Sequence, residues 1–135
     1  MQIHRGITRT VLVTRRWAIK VPSPRSYSGG LRGVLWSVTR GIQANLSEAE
    51  WSGTTGVCPV RWSWLGLINV YPSCDPPPAG ELDYDGIGAL FPSDKKPENV
   101  GLLDGRLVWI DYDNSWNDCP HGVSCPVSPA EAPGP

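Results

Sequence analysis

The sequence lacks a long hydrophobic run. Its apolar stretches are interrupted by Arg, Pro or Asp before they approach the roughly 18 to 20 residues of a membrane-spanning helix. The amino-terminal residues lead into polar side chains rather than into an apolar segment, so we expect no secretory signal and no membrane association. The 135 residues correspond to one domain or two small lobes, and we predict a cytoplasmic location.

A Cys-x-x-Cys pair is also missing, and with it the spacing of a zinc ribbon. The four cysteines are Cys58, Cys74, Cys119 and Cys125. Because no secretory signal is expected, we predict that they are reduced thiols. With 40% hydrophobic residues, a chain of this length can form a core without disulfides or a bound metal.

Acidic residues are absent from residues 1–47, which contain eight basic ones. From Asp75 onward the order reverses, with eleven acids and three basic residues. This asymmetry has three explanations: a phosphate-binding first part with a metal-binding second part, a nucleic-acid-binding arm, or two solvated faces that attract each other. The acidic second half and the sequence pI of about 6.1 make nucleic acid an unlikely partner.

The first half of the chain predicts a hairpin followed by a helix. Two β-prone runs, 8–13 and 17–21, are separated by a short polar break, as in a β-hairpin. From Ser28 onward, apolar residues recur at spacings of three and four, which predicts an amphipathic helix. The members of this stripe are Leu31, Val34, Leu35, Val38, Ile42 and Leu46.

The second half predicts another hairpin, a linker and a further strand. Residues 57–65 and 67–71 are apolar runs that turn at Gly66. The proline-rich stretch 76–80 is typical of a linker, and 106–110 reads as a strand. The predicted fold class is therefore α+β, with a small antiparallel sheet and one main helix packed on it.

Two groups of residues have the character of a functional site. Asp94 and Asn99 lie on a charged, proline-interrupted loop, and Asp111 follows an apolar run that must be buried. Such oxygen ligands suit a hard cation, although a turn closed by Asx side chains would also explain them. Lys20 lies in an apolar strand, where a lysine is exposed, paired with an acid, or used on an anionic ligand.

Three segments, in this order, resemble signature motifs of the protein kinases. Trp-Ala-Ile-Lys at 17–20 resembles the Val-Ala-Ile-Lys of kinase strand 3. Asp-Lys-Lys-Pro-Glu-Asn at 94–99 is one residue away from the Asp-Leu-Lys-Pro-Glu-Asn catalytic loop. Ile-Asp-Tyr-Asp at 110–113 resembles the hydrophobic-Asp-Phe-Gly metal-binding segment, and its distance from Asn99 is close to the family's.

The resemblance covers roughly residues 8–113 and implies a protein-kinase-like fold that is much reduced. It places an N-lobe-like part at 1–75, a proline-rich linker at 76–80 and a strongly reduced C-lobe at 81–125. The remaining residues, 126–135, are predicted to form a disordered tail.

In the first lobe, the resemblance implies that Lys20 holds the α- and β-phosphates of ATP and pairs with a helix glutamate. Glu48 is favoured for that pairing because it continues the helix pattern, and Glu50 remains open. The segment 69–73, which includes Asn69 and Tyr71, would form the hinge that holds adenine through backbone groups.

In the second lobe, the resemblance implies that Asp94 is the catalytic base or orients the substrate, and that Lys96 contacts the transferred phosphate. Asn99 and Asp111 would be ligands of Mg²⁺. ATP and Mg²⁺ are therefore the expected cofactors.

Departures from the family pattern leave two functions open. No Gly-x-Gly-x-x-Gly precedes Lys20, Asp113 stands where the family has glycine, and too few residues follow Asp111 for an activation segment. Because Lys20, Asp94, Asn99 and Asp111 are all retained, the chain is expected to transfer the γ-phosphoryl group of ATP to a hydroxyl of itself or a partner. The alternative is an inactive pseudokinase that holds nucleotide or a protein. The number of tryptophans favours a protein partner or a homodimer.

Overall fold

The computed structural model describes residues 1–24, 30–88 and 95–112. The strands are β1 (Gln2–Arg5), β2 (Arg9–Val13), β3 (Trp17–Pro22), β4 (Trp62–Trp64), β5 (Ile68–Pro72), β6 (Val100–Leu103) and β7 (Arg106–Trp109). One α-helix, α1 (Gly30–Trp51), and one short 3₁₀ helix (Pro97–Asn99) complete the described elements. The α+β class with a small antiparallel sheet and one helix is confirmed.

The chain divides into two compact units. The sheet unit comprises Met1–Ala49 and Val60–Ser73, and the hairpin unit comprises Glu50–Pro59 and Cys74–Pro135. The chain therefore leaves the sheet unit near the end of α1, returns to it for β4 and β5, and leaves it again after β5.

The sheet unit contains a five-stranded antiparallel sheet in the order β1-β2-β3-β5-β4. Both predicted hairpins are present. Strand β1, whose Ile3 lies opposite Leu12 of β2, was not predicted from the sequence. The strand predicted at 57–65 is shorter in the structure, because Val57 forms an isolated bridge with Trp109 in the hairpin unit. Beside that bridge, the Cys58 amide donates to the carbonyl of Trp109 at 2.8 Å.

Helix α1 forms where the apolar periodicity predicted it, but only part of the apolar stripe is packed: Val34, Val38 and Ile42 are partly buried, and the leucines are exposed. Leu31 and Leu35 are 73% and 57% exposed. Apart from Trp51 at the end of the helix, the buried positions carry small or polar side chains: Gly33, Ser37, Gly41, Ala44, Asn45 and Glu48. Periodicity locates a helix correctly, but here the residues that contact the sheet are chosen by size and hydrogen bonding.

Small residues let α1 approach the sheet closely. A Cβ atom on Gly41 would lie 2.4 Å from the carbonyl oxygen of Thr8 and 2.9 Å from the Cα of Pro22. The Ser37 hydroxyl lies 2.8 Å from the carbonyl oxygens of Ile7 and of Ser23. The inner face of the sheet, defined as the face that α1 contacts, is therefore held by close backbone approach and hydrogen bonds.

The outer face of the sheet carries an apolar row that is partly exposed. Because side chains alternate along a strand, the residues between the inward-facing ones form this second face. One row crosses all five strands in register and consists of Ile3, Leu12, Ile19, Val70 and Trp62. Trp62 and Trp64 are about half exposed, whereas Trp51 is buried in the hairpin unit.

The hairpin unit is built around the antiparallel pair β6 and β7, of which only β7 was predicted. Its core consists of Trp51, Val57, Ile87, Val100, Trp109 and Tyr112. The Tyr84 ring stacks on Trp109, with centroids 5.8 Å apart. None of the helices in the described ranges combines the length and apolarity needed to cross a membrane.

We expect Gly41→Ala to destabilise the fold. In a helix interior this change normally stabilises by about 0.5–1 kcal/mol. Here the new methyl group would meet the backbone of Thr8 and Pro22, so we expect a net loss of about 1–3 kcal/mol in the free energy of unfolding. Urea denaturation measures it. Thr39→Ala, at an exposed position of the same helix, should change stability by less than about 0.5 kcal/mol. A Gly41→Ala variant as stable as the wild type would contradict the close approach.

Candidate functional site

The centre of the sheet unit is an ion pair between Lys20 of β3 and Glu48 of α1. The Lys20 Nζ lies 3.0 Å from Oε1 and 2.9 Å from Oε2 of Glu48, so the ammonium bridges both carboxylate oxygens. Lys20 is 6% exposed and Glu48 is fully buried. The pair forms because Lys20 points to the inner face and Glu48 lies on the buried face of α1. Of the two glutamates left open by the sequence, the structure pairs Lys20 with Glu48, and Glu50 is exposed.

Two further side chains converge on the same carboxylate. The Arg9 Nη1 lies 3.0 Å from Oε2 of Glu48, and Arg9 is itself 8% exposed. The Tyr71 hydroxyl donates a short hydrogen bond to the same oxygen. The Lys20 Nζ also lies 4.8 Å from the centroid of the Tyr71 ring, which is within the range of a cation–π contact.

Two buried asparagines extend the cluster. The Asn69 amide donates to the Tyr71 hydroxyl at 3.0 Å and to the carbonyl of Asn45 at 2.7 Å. The Asn45 amide donates to the carbonyl of Gly66 at 2.9 Å, and its oxygen accepts from Arg9 at 3.4 Å. These bonds matter because a buried polar group without a partner costs about 1–3 kcal/mol. We call Arg9, Lys20, Asn45, Glu48, Asn69 and Tyr71 the Glu48 cluster.

The Glu48 cluster carries an excess of positive charge. Glu48 is the only acid among the residues of the sheet unit, which also contains nine basic residues. Within the cluster one carboxylate faces two cations, Arg9 and Lys20, both nearly buried. A net positive charge at low solvent exposure attracts an anion more strongly than the same charge in water would.

In the hairpin unit, the two predicted metal ligands lie at the two ends of one hairpin. Asn99 directly precedes β6, and Asp111 follows β7 after Ile110. The Ile110 amide donates to the carbonyl of Asn99 at 2.8 Å, so the backbones of the two segments are adjacent. Both residues are partly exposed. One carboxylate and one amide oxygen suit Mg²⁺, which usually completes its shell with water and phosphate oxygens.

The remaining predicted residues have different placements. Lys96 is exposed and precedes the 3₁₀ helix, and Asp94 lies outside the described residues, as do Cys119 and Cys125. Among the residues that the structure describes, no three His, Cys, Asp or Glu side chains form a metal-binding group. The Asn99–Asp111 pair is thus a two-ligand candidate.

The placement of Asn69 and Tyr71 corrects the hinge prediction. Both lie within β5, where Asn69 is paired with Lys20 on one side and with Ser63 on the other. Their backbones belong to the sheet, and their side chains belong to the Glu48 cluster. The connection after β5 begins only at Ser73. The alternating apolar run at 67–71 was a strand signal for its whole length, and 68–72 is a strand rather than a connection.

Arg9 and Asn45 are the cluster members that sequence reasoning missed. Asn45 precedes Glu48 by three positions and therefore shares its helix face, which was a usable signal. Arg9 lies on the same face of β2 as Val11 and Val13, opposite Pro22 of β3. Which face of the sheet Arg9 occupies could be inferred only once the register of the hairpin was known.

We expect Glu48→Gln to destabilise the protein strongly. The substitution keeps the shape of the side chain but removes the negative charge that Lys20 and Arg9 contact. Removing one partner of a buried ion pair costs about 3–5 kcal/mol. The free energy of unfolding in urea, measured at neutral pH, is the test.

Glu50→Gln is the matched control, since Glu50 is an exposed residue two positions along the same helix. We expect it to change stability by less than about 0.5 kcal/mol. Equal effects of the two substitutions would mean that the Glu48 carboxylate does not hold the cluster together.

Comparison with known proteins gives no further assignment. No family model matches the chain, and no curated protein or solved structure matches it either.

Proposed function

We propose that the chain is a minimal kinase-like protein that binds ATP with Mg²⁺ and transfers the γ-phosphoryl group to a hydroxyl. The cytoplasmic location expected from the sequence is part of this proposal. The order of the motifs at 17–20, 94–99 and 110–113 supports it. So does the placement of the first motif's lysine opposite a helix glutamate.

The observation that carries the proposal is the buried Lys20–Glu48 pair, beside which Arg9 places a second positive charge. Glu48 fixes the position of the Lys20 ammonium by bonding it through both carboxylate oxygens. Arg9 leaves the cluster with one more positive than negative charge. A fixed cationic group of this kind suits the phosphates of a nucleotide, because phosphoryl transfer depends mainly on positioning and electrostatics.

Asn99 and Asp111 would hold Mg²⁺ in this proposal. Their oxygens are the ligands that this hard cation prefers, and the adjacent backbones of the two segments fit a shared ligand. When bound, the ion neutralises charge on the phosphate oxygens. Asp94 would orient the acceptor hydroxyl, and Lys96 would contact the transferred phosphate.

We expect Mg²⁺-dependent binding of ATP that is lost in Asp111→Asn. The substitution removes the carboxylate charge but keeps an amide of nearly the same size, so the fold should remain intact. Isothermal titration calorimetry with ATP, with and without Mg²⁺, measures the affinity. We expect a loss of at least about tenfold.

Asp104→Asn is the control for that titration. Asp104 is exposed in the β6–β7 turn with φ of 52°, a conformation that Asn also tolerates. We expect it to bind like the wild type. Mg²⁺-independent binding, or equal affinity of the Asp111→Asn variant, would contradict the assignment of Asp111.

The second candidate function is a pseudokinase that binds nucleotide without transfer. The observation that favours it is the connection between β1 and β2, which is a turn of only three residues, 6–8. Its Gly6 amide donates to the carbonyl of Arg9 at 2.8 Å. The resemblance leads us to expect a phosphate-covering glycine loop before Lys20, and a turn this short, in which Gly6 is the one glycine, covers little.

Transfer from radiolabelled ATP distinguishes the two candidates. If the chain is an active kinase, the wild type labels itself or a hydroxyl acceptor, and Asp94→Asn abolishes labelling while its calorimetric ATP affinity stays within about threefold. Equal labelling by wild type and variant would exclude Asp94 as the catalytic carboxylate. Binding of ATP by the wild type with no labelling would favour the pseudokinase.

A further inference from the structure

Cys58 and Cys74 form a close pair of thiols in the hairpin unit. Their Sγ atoms lie 3.5 Å apart, although the residues are 16 positions apart in sequence. No disulfide joins them in the structure. A disulfide has an S–S distance of about 2.05 Å, so the two sulfurs need to approach by about 1.5 Å to bond.

Backbone hydrogen bonds hold both cysteines in position. The amide of Cys58 donates to the carbonyl of Trp109 at 2.8 Å, and its own carbonyl accepts from the Tyr112 hydroxyl at 2.9 Å. Cys74 precedes Asp75, whose amide and carbonyl both bond to Leu102 of β6, at 2.9 and 2.8 Å. The two thiols are therefore kept together by the folded backbone.

Gly101 leaves the space that the Cys74 side chain occupies. A Cβ atom on Gly101 of β6 would lie 2.6 Å from the Cβ of Cys74 and 3.3 Å from the Cγ2 of Ile110. Any larger residue at position 101 would displace Cys74. The sequence thus leaves room for Cys74 beside the β6–β7 hairpin, at a place where Cys58 is also present.

We propose that Cys58 and Cys74 form a reversible disulfide when the chain meets a small-molecule disulfide such as oxidised glutathione. This modification goes beyond the proposed nucleotide chemistry and does not depend on it. It differs from the reduced state that the sequence predicts for a cytoplasmic chain, because proximity and backbone restraint favour the bond at a less oxidising potential than unrestrained thiols require.

The reaction begins at Cys74, which is partly exposed, whereas Cys58 is buried. The Cys74 thiolate attacks one sulfur of the small disulfide and displaces the other half as a thiol, leaving a mixed disulfide. The Cys58 thiolate then attacks the Cys74 sulfur and expels the second thiol. Both protein thiols lose their protons, the pair is oxidised by two electrons, and the small disulfide is reduced to two thiols.

The disulfide would close a covalent loop that contains β4 and β5. The chain enters the sheet unit at Val60 and leaves it after Ser73, so the two cysteines flank the two crossings between the units. The enclosed segment includes β5, which supplies Asn69 and Tyr71 to the Glu48 cluster. The disulfide would lower the conformational entropy of the unfolded chain, so we expect the oxidised protein to have a higher free energy of unfolding.

The test uses the full chain with Cys119→Ser and Cys125→Ser, so that only the proposed pair remains. The protein is equilibrated with mixtures of reduced and oxidised glutathione, quenched with N-ethylmaleimide and weighed by mass spectrometry. We expect a transition from two alkylated thiols to none, with the loss of two hydrogen atoms and a cross-linked peptide that contains both cysteines. The melting temperature of the oxidised form should be higher by several degrees.

Adding Cys74→Ser provides the control, and we expect it to abolish the cross-link and the shift in melting temperature. Adding Gly101→Ala instead keeps both thiols but displaces Cys74, and we expect the transition to need a more oxidising mixture. Circular dichroism in reducing buffer checks that each variant is folded. Two alkylatable thiols in folded protein at the most oxidising mixture, or stable glutathione adducts without a cross-link, would overturn the proposal.

Discussion

The buried carboxylate of Glu48 is the constraint on which the sheet unit depends. A carboxylate with no solvent exposure needs counter-charges and hydrogen-bond donors from every side. Lys20 and Arg9 supply the charge, and Tyr71 supplies a hydroxyl. Since these three residues come from β3, β2 and β5, one helix side chain connects the three central strands of the sheet.

This constraint explains why the leucines of the helix's apolar stripe are exposed. The face that carries Glu48 must lie against the strands, and that face also carries Gly41 and Asn45. Gly41 permits a close approach, and Asn45 bonds the carbonyl of Gly66 and, at 3.3 Å, that of Lys20. Leu31 and Leu35 are left exposed as a result. The apolar row on the outer face of the sheet is a surface that the expected protein partner or second copy could cover.

The two units differ in their charge as well as in their structure. The sheet unit contains nine basic residues and one acid, and the hairpin unit contains three basic residues and twelve acids. This division follows the chemistry proposed for each: a cationic group for phosphates in one unit and oxygen ligands for a divalent cation in the other. Cys58 and Cys74 lie beside the points where the chain passes between the units.

The sequence by itself determined the class of fold, the helix, two of the three hairpins of the sheet and the choice of Glu48 over Glu50 as the favoured partner of Lys20. Local periodicity and the order of motifs were enough, because those features depend on neighbouring residues along the chain. Tertiary structure alone decided that Arg9 and Tyr71 join Glu48, that Asn69 belongs to a strand rather than a hinge, and that two cysteines 16 positions apart come together. The first two outcomes depend on strand register and on which helix face is buried, and the third depends on backbone hydrogen bonds from Cys58 and Asp75 to the β6–β7 hairpin. All of them are contacts between residues far apart in the chain, which local patterns do not reveal.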